Sequence, residues 1–235
     1  MYSEVHNNLV AAERIVSFGC SMMYGQEMQD ETPHHASNKT FAGLLANRYD
    51  CEYVCNAKPG ISNDAILRRM YKYLSTGRKE NDFVIVGWTS HIRREMFNSV
   101  ENKYQSLLAN FYYRKPIPEQ RIAYDRIHNA YLTMLEYSTD ETLDQYFVQQ
   151  QFYATQAIRS YNIPHLQFEM FNDNKATQIP EFCPLKIEHY IRSTGLPKSE
   201  TRYPLQHPNE RSHAGFFAEV QKWILDNNYK PSYVS

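Results

Sequence analysis

Ser21 stands in the stretch FGCSMMYG (18–25), directly after the short apolar run RIVSF (14–18). Two of the chain's eight glycines, Gly19 and Gly25, flank it. A serine at a strand-to-helix turn presents its hydroxyl, and the backbone N–H groups that follow point toward whatever the hydroxyl attacks. A serine nucleophile needs a base. His207, held by Pro208 in LQHPN (205–209) just before the last helical segment, is of the right type. The pairing points to acyl transfer. Taken alone, G-x-S-x-x-x-G recurs by chance, Ser21 has the rival role of helix N-cap, and the spacing differs from the G-x-S-x-G elbow of α/β-hydrolases.

Two further strand ends carry polar clusters. NAKPGISN (56–63) brings Gly60 and Asn63, and GWTSHIRRE (87–95) brings Thr89, Ser90, His91 and Arg93. A Gly after a Pro ordinarily marks a turn. Arg93-Arg94-Glu95 has two readings: an anion-binding group on substrate, or an ion-pair network that fixes the loop. His34-His35 suggests a metal pair, but adjacent residues chelate one ion poorly and a solvated loop is the better account. No metal or other cofactor is expected.

These residues need a scaffold. RIVSF (14–18), EYVCNA (52–57), DFVIVGW (82–88) and IPHLQFEMF (163–171) read as strands. Segments 41–49, 62–75, 124–137, 141–161 and 213–227 carry apolar residues at helical spacing, with Ser62 as an N-cap. Unbroken apolar strands separated by helices predict a parallel sheet covered on both faces, and functional residues gather at the carboxyl ends of such strands. The expected fold is therefore a three-layer α/β/α sandwich. The chain reads as one domain, 1–235, with a Tyr-rich helical insertion at about 98–160. Segment 172–212 reads as proline-rich loop with a short helix.

In this order and context the motifs resemble the SGNH, or GDSL-like, hydrolases, which share a flavodoxin-like α/β/α architecture. FGCSMMYG looks like the first block, with Ser21 as nucleophile, and NAKPGISN like the second, with Gly60 supplying an oxyanion-hole N–H. VIVGWTSHIRRE occupies the place of the third, and HPNERSHAGFF is similar to the last, with His207 as base. About 35 residues carry the resemblance, and the form of the blocks looks most like relatives encoded by tailed bacteriophages. The departures matter. Cys20 replaces the usual Asp, Thr89 the oxyanion-binding Asn, Ser90 an Asp, and Pro204 the acid three residues before the His. Thr89 has a hydroxyl to donate in the Asn's place, and Asn63 is a second substitute donor. The missing acid leaves two routes open. A backbone carbonyl orients His207, or Glu210 and His213 form an acid-x-x-His unit of their own; the first fits the block better. Cys20, on the strand side of the turn, is expected to face inward.

The resemblance implies a serine esterase acting on small-molecule or carbohydrate esters, with carbohydrate O-deacetylation the natural substrate class. The alternative is an impaired hydrolase scaffold serving as a binding, virion or assembly protein. Net charge is −1 and pI about 6.8, so neither nucleic acid nor an anionic membrane is indicated as a partner. Nineteen tyrosines suit a sugar-stacking lid or a homo-oligomer interface as well as half-exposed helix faces. Cys20, Cys51, Cys55 and Cys183 form no CxxC pair and read as reduced thiols. With no basic-then-apolar leader and no bilayer-length apolar run, a cytoplasmic location is expected, in the host or in the virion if phage-encoded.

Overall fold

A computed structural model describes residues 4–32, 34–99, 102–107, 121–171, 182–187 and 207–226. Its centre is a five-stranded sheet in the order β2-β1-β3-β6-β7, every pairing parallel. The strands are β1 (Arg14–Gly19), β2 (Glu52–Cys55), β3 (Asp82–Trp88), β6 (His165–Glu169) and β7 (Phe182–Cys183). β1, β3 and β6 are buried along their whole length, as strands covered on both faces must be, and β6 buries His165, Gln167 and Glu169 there too.

Two apolar layers enclose the sheet. On one face Phe41 and Leu45 of α3 (Phe41–Arg48) and Phe216, Val220 and Ile224 of α7 (Glu210–Asp226) meet Ile15, Phe83, Leu166 and Phe168. α1 (Glu4–Ala11) adds Val5 and Leu9. On the other face Ile66 and Met70 of α4 (Asn63–Thr76), with Phe147, Ala154 and Ile158 of α6 (Asp140–Arg159), meet Val16, Phe18, Val84, Val86 and Trp88. The arrangement is the expected three-layer α/β/α sandwich.

Local sequence accounts for the key elements. Ser62 caps α4 by accepting the Ala65 N–H (3.3 Å), and Asn209 caps α7 by accepting the Ser212 N–H (2.9 Å). Asp82 pins the amino ends of β1 and β3 by taking two bonds from Arg14, at 2.7 and 2.6 Å, and one from the Tyr73 hydroxyl. This buried charge pair is fully coordinated, which is the condition under which burial is tolerated.

Several elements differ from the sequence reading, β7 among them, which falls in the segment read as loop. α1 was not anticipated, because its eight residues carry only two buried apolar positions. The segment read as a helical insertion opens instead with an antiparallel hairpin, β4 (Arg94–Asn98) against β5 (Lys103–Leu107), before α5 (Arg121–Tyr137). α6 is one of the two helices covering a sheet face. α7 starts at Glu210 rather than 213, because Asn209 supplies the cap one turn earlier. Pro204 and most of the loop 172–206 lie outside the described residues. Among the described residues no helix is long and apolar enough to cross a membrane.

Candidate active site

Ser21 opens the one-turn helix α2 (Ser21–Tyr24) immediately beyond β1, at the carboxyl edge of the sheet. What holds it there is the packing of Met23. A Cβ on Gly19 would come within 2.3 Å of Met23 Cγ, and one on Gly87 within 2.4 Å of the same atom. Two glycines facing each other on neighbouring strands therefore open the slot into which α2 is pressed. Gly25 ends the turn in a left-handed conformation (φ 73°), with Ser37 and Thr40 so close that a side chain would collide. Cys20 is fully buried in the core, facing inward as expected.

The second block is tied directly to this turn. Lys58 N–H bonds Gly19 O (3.0 Å), two residues ahead of Ser21, and Asn56 N–H bonds Ser17 O (2.7 Å). Arg69 of α4 holds the same loop by donating to Asn56 O (2.7 Å), and Ser106 of β5 accepts the Ser62 N–H (3.0 Å). Gly60 sits between these anchors at φ 72°, half-exposed, with open space around it. Neither the Ser21 N–H nor the Gly60 N–H meets an acceptor among the described residues. The two donors follow neighbouring parallel strands, β1 and β2.

His207 is 9% exposed. Its Nδ1 lies 3.0 Å from Oε2 of Glu27, and both side chains are largely buried. The two atoms are within reach of each other, but no aligned hydrogen bond joins them. Such bonds often tighten when substrate is bound. With Nδ1 turned to the acid, Nε2 faces away and bonds no described residue. Glu27 itself adopts φ 73°, unusual for a non-glycine residue and a conformation that recurs where a side chain is placed for function. The sequence offered no means of choosing it, since Glu27, Asp30 and Glu31 share one loop. Only folding separates them: Asp30 accepts from Ser37 Oγ and Asn38 N–H, while Glu27 meets His207.

The other candidates are placed differently. His213 lies inside α7, fully buried, and its Nδ1 accepts the Phe41 N–H (3.3 Å) at the start of α3. Burial, with a smaller contribution from His207, lowers its pKa to about 3, which fixes it as a neutral capping group. Glu210 bonds Lys39 (2.8 Å). The acid-x-x-His unit of Glu210 and His213 is therefore not assembled: Lys39 draws Glu210 outward, and His213 is buried against the start of α3. Asn63 is spent as well. Its Oδ1 accepts the Thr89 N–H (2.9 Å), and its Nδ2 donates to Thr89 O (3.1 Å) and to Ser90 O (3.5 Å). Thr89 is fully buried and its hydroxyl is enclosed. Ser90 is buried, with its carbonyl accepting from Arg93 N–H (3.2 Å).

The Arg-Arg-Glu triplet divides three ways. Glu95 takes two bonds from Arg68 (3.2 and 2.7 Å), Arg94 lies 3.7 Å over the Tyr146 ring, and Arg93 lies 4.9 Å over Phe171. His34 and His35 are exposed on a turn, and among the described residues no cluster of three or more His, Cys, Asp or Glu is able to hold a metal. A groove of about 370 Å³ lined by Arg14, Asn56, Arg69 and Lys72 runs along the β1–β2 side of α4; neither Ser21 nor His207 lines it.

No protein-family model and no curated protein matches the sequence. Solved structures do resemble the fold. A lipolytic G-D-S-L family protein from Veillonella parvula matches at 11% identity, covering 89% of this chain and 96% of that one, with a TM-score of 0.38. TesA matches at 11% identity over 89% and 96%, with a TM-score of 0.45. An acetyl xylan esterase from the rumen bacterium Butyrivibrio proteoclasticus matches at 11% identity over 90% and 63%, with a TM-score of 0.42. At these scores and identities the likenesses carry no argument about chemistry, which rests on the geometry above.

Proposed function

We propose that the chain is an SGNH-like serine esterase that hydrolyses acyl esters, with O-acetylated carbohydrate as the substrate class. What supports this reading is the Glu27–His207 contact, together with Ser21 at the carboxyl end of β1 and the N–H groups of Ser21 and Gly60, which meet no acceptor among the described residues. Ser21 Oγ attacks the acyl carbon while His207 Nε2 takes its proton. Glu27 balances the imidazolium charge, and the N–H groups of Ser21 and Gly60 receive the oxyanion. His207 then returns the proton to the leaving alcohol. Water, deprotonated by the same nitrogen, attacks the acyl-enzyme and releases the acid. The resemblance of the blocks to phage-encoded members is part of the same proposal.

The burial of Thr89 and the full engagement of Asn63 favour a second reading. Without a side-chain donor in the oxyanion hole, the scaffold serves binding or assembly instead. Labelling with a fluorophosphonate, read by intact mass beside Ser21→Ala and His207→Ala, separates the two. One adduct per chain, absent in both variants, is the esterase result. No adduct on the folded wild type leaves the binding scaffold.

A further inference from the structure

We infer that Arg93 is an anion-reading residue, and that the preferred substrate carries a carboxylate on the same molecule as the scissile ester. This rests on the esterase reading and narrows its substrate class.

The argument begins with charge. Of the three arginines around the third block, Arg68 has Glu95 and Arg94 has the Tyr146 face. Among the described residues Arg93 meets the face of Phe171, and, unlike Arg94, it has an enclosed nitrogen, Nη1, without a hydrogen-bond acceptor. Among the described residues no carboxylate meets it. An aromatic face engages a guanidinium through its plane and leaves the in-plane N–H fork unused. Arg93 is half-buried, and an enclosed guanidinium N–H without an acceptor is costly; an oxyanion ligand relieves that cost.

Position and rigidity follow from the loop. Arg93 N–H bonds Ser90 O, the Tyr131 hydroxyl bonds Ile92 O (2.9 Å), and the Asn63 amide clamps Thr89 and Ser90. Phe171 directly follows β6, where Met170 N–H bonds Trp88 O (2.9 Å). The guanidinium therefore stands on the carboxyl edge over β3 and β6, while Ser21 leaves β1 on the same edge. Two strand spacings separate β1 from β6, roughly 10 Å. That span suits a substituent elsewhere on one sugar or acyl chain. A guanidinium fork seats the two oxygens of a carboxylate in its own plane, so a carboxylate is the class proposed.

The carboxylate belongs either to the alcohol, as in an O-acetylated uronide, or to the acyl group, as in a hemiester. Three substrates test this: O-acetylated digalacturonate, 4-nitrophenyl hemiglutarate, and neutral O-acetylated digalactose. The wild type is expected to favour one acidic substrate over the neutral one by at least about tenfold in kcat/KM. Whichever it is names the source. Arg93→Gln is expected to lower that acidic-to-neutral ratio by about 10- to 100-fold, chiefly through KM, with Arg93→Lys between the two. A ratio near one for both acidic substrates, or a parallel loss on all three in Arg93→Gln, overturns the inference. Should nothing be hydrolysed and Ser21 stay unlabelled, the esterase reading has failed separately. Calorimetric binding of digalacturonate and glutarate then decides: binding that Arg93→Gln abolishes sustains the anion site, and no binding to the wild type removes it.

Discussion

Glu27 Oε2 lies 3.0 Å from His207 Nδ1, across 180 residues of sequence. The acid faces the histidine from the loop just past the Ser21 turn, not from the histidine's side of the chain. Replacing Glu27 by Gln keeps the shape and removes the charge that stabilises an imidazolium. The expected loss in kcat is about 100- to 1000-fold, with protein stability nearly unchanged. Rates of Glu27→Gln within threefold of wild type on an activated acetyl ester would show that the acid plays no part.

His213 ties stability to pH. Its folded pKa, near 3, lies below the ordinary 6.5, because burial disfavours the charged ring. Between those values the unfolded chain binds the extra proton and the folded chain does not. The contribution is therefore intact above about 6.5 and lost progressively as pH falls toward 3, at up to about 1.4 kcal/mol per unit. Urea unfolding at pH 7, 6, 5 and 4 should show a shallower acid slope for His213→Gln than for wild type. Identical slopes would mean that the ring titrates normally.

The slot for α2 depends on Gly87 having no side chain. Gly87→Ala places a methyl 2.4 Å from Met23 Cγ, in the fully buried core, and should cost about 1–3 kcal/mol by overpacking. Because Met23 is two residues from Ser21, fluorophosphonate labelling should slow as well. Adding Met23→Ala removes the colliding atoms and should restore part of the labelling rate. A single variant as stable and reactive as wild type would refute the slot.

Asn63 and Thr89 separate positioning from chemistry. Thr89→Val keeps volume, and because the hydroxyl is enclosed, turnover should change by less than about tenfold. An oxyanion donor's loss would cost about 100- to 1000-fold. Asn63→Ala strips three bonds from the buried Thr89–Ser90 backbone and should destabilise the fold by about 2–4 kcal/mol in chemical denaturation. A hundredfold loss of kcat in Thr89→Val would return the hydroxyl to the oxyanion hole.

Much of the molecule was legible before folding was considered. Continuous apolar runs such as DFVIVGW can be satisfied only by strands covered on both faces. Those runs, alternating with amphipathic segments, fix the parallel sheet and both helical layers. The order of blocks along the chain put Ser21 and Gly60 at neighbouring strand ends, because that edge follows from topology. The hairpin β4–β5 was hidden, since REMFN and KYQSL carry mixed polarity with only Asn98 and Leu107 buried.

What sequence could not decide is which polar group meets which. By type and spacing the sequence offered Glu210 with His213, and Thr89 or Asn63 for the oxyanion, and nothing in it singled out Glu27. Only the folded chain spends Asn63 on Thr89, Glu210 on Lys39 and Asp30 on Ser37, leaving Glu27 against His207. Periodicity encodes burial locally, residue by residue. A hydrogen-bond or charge pairing between distant segments is set by where packing brings their backbones, and no local pattern records it.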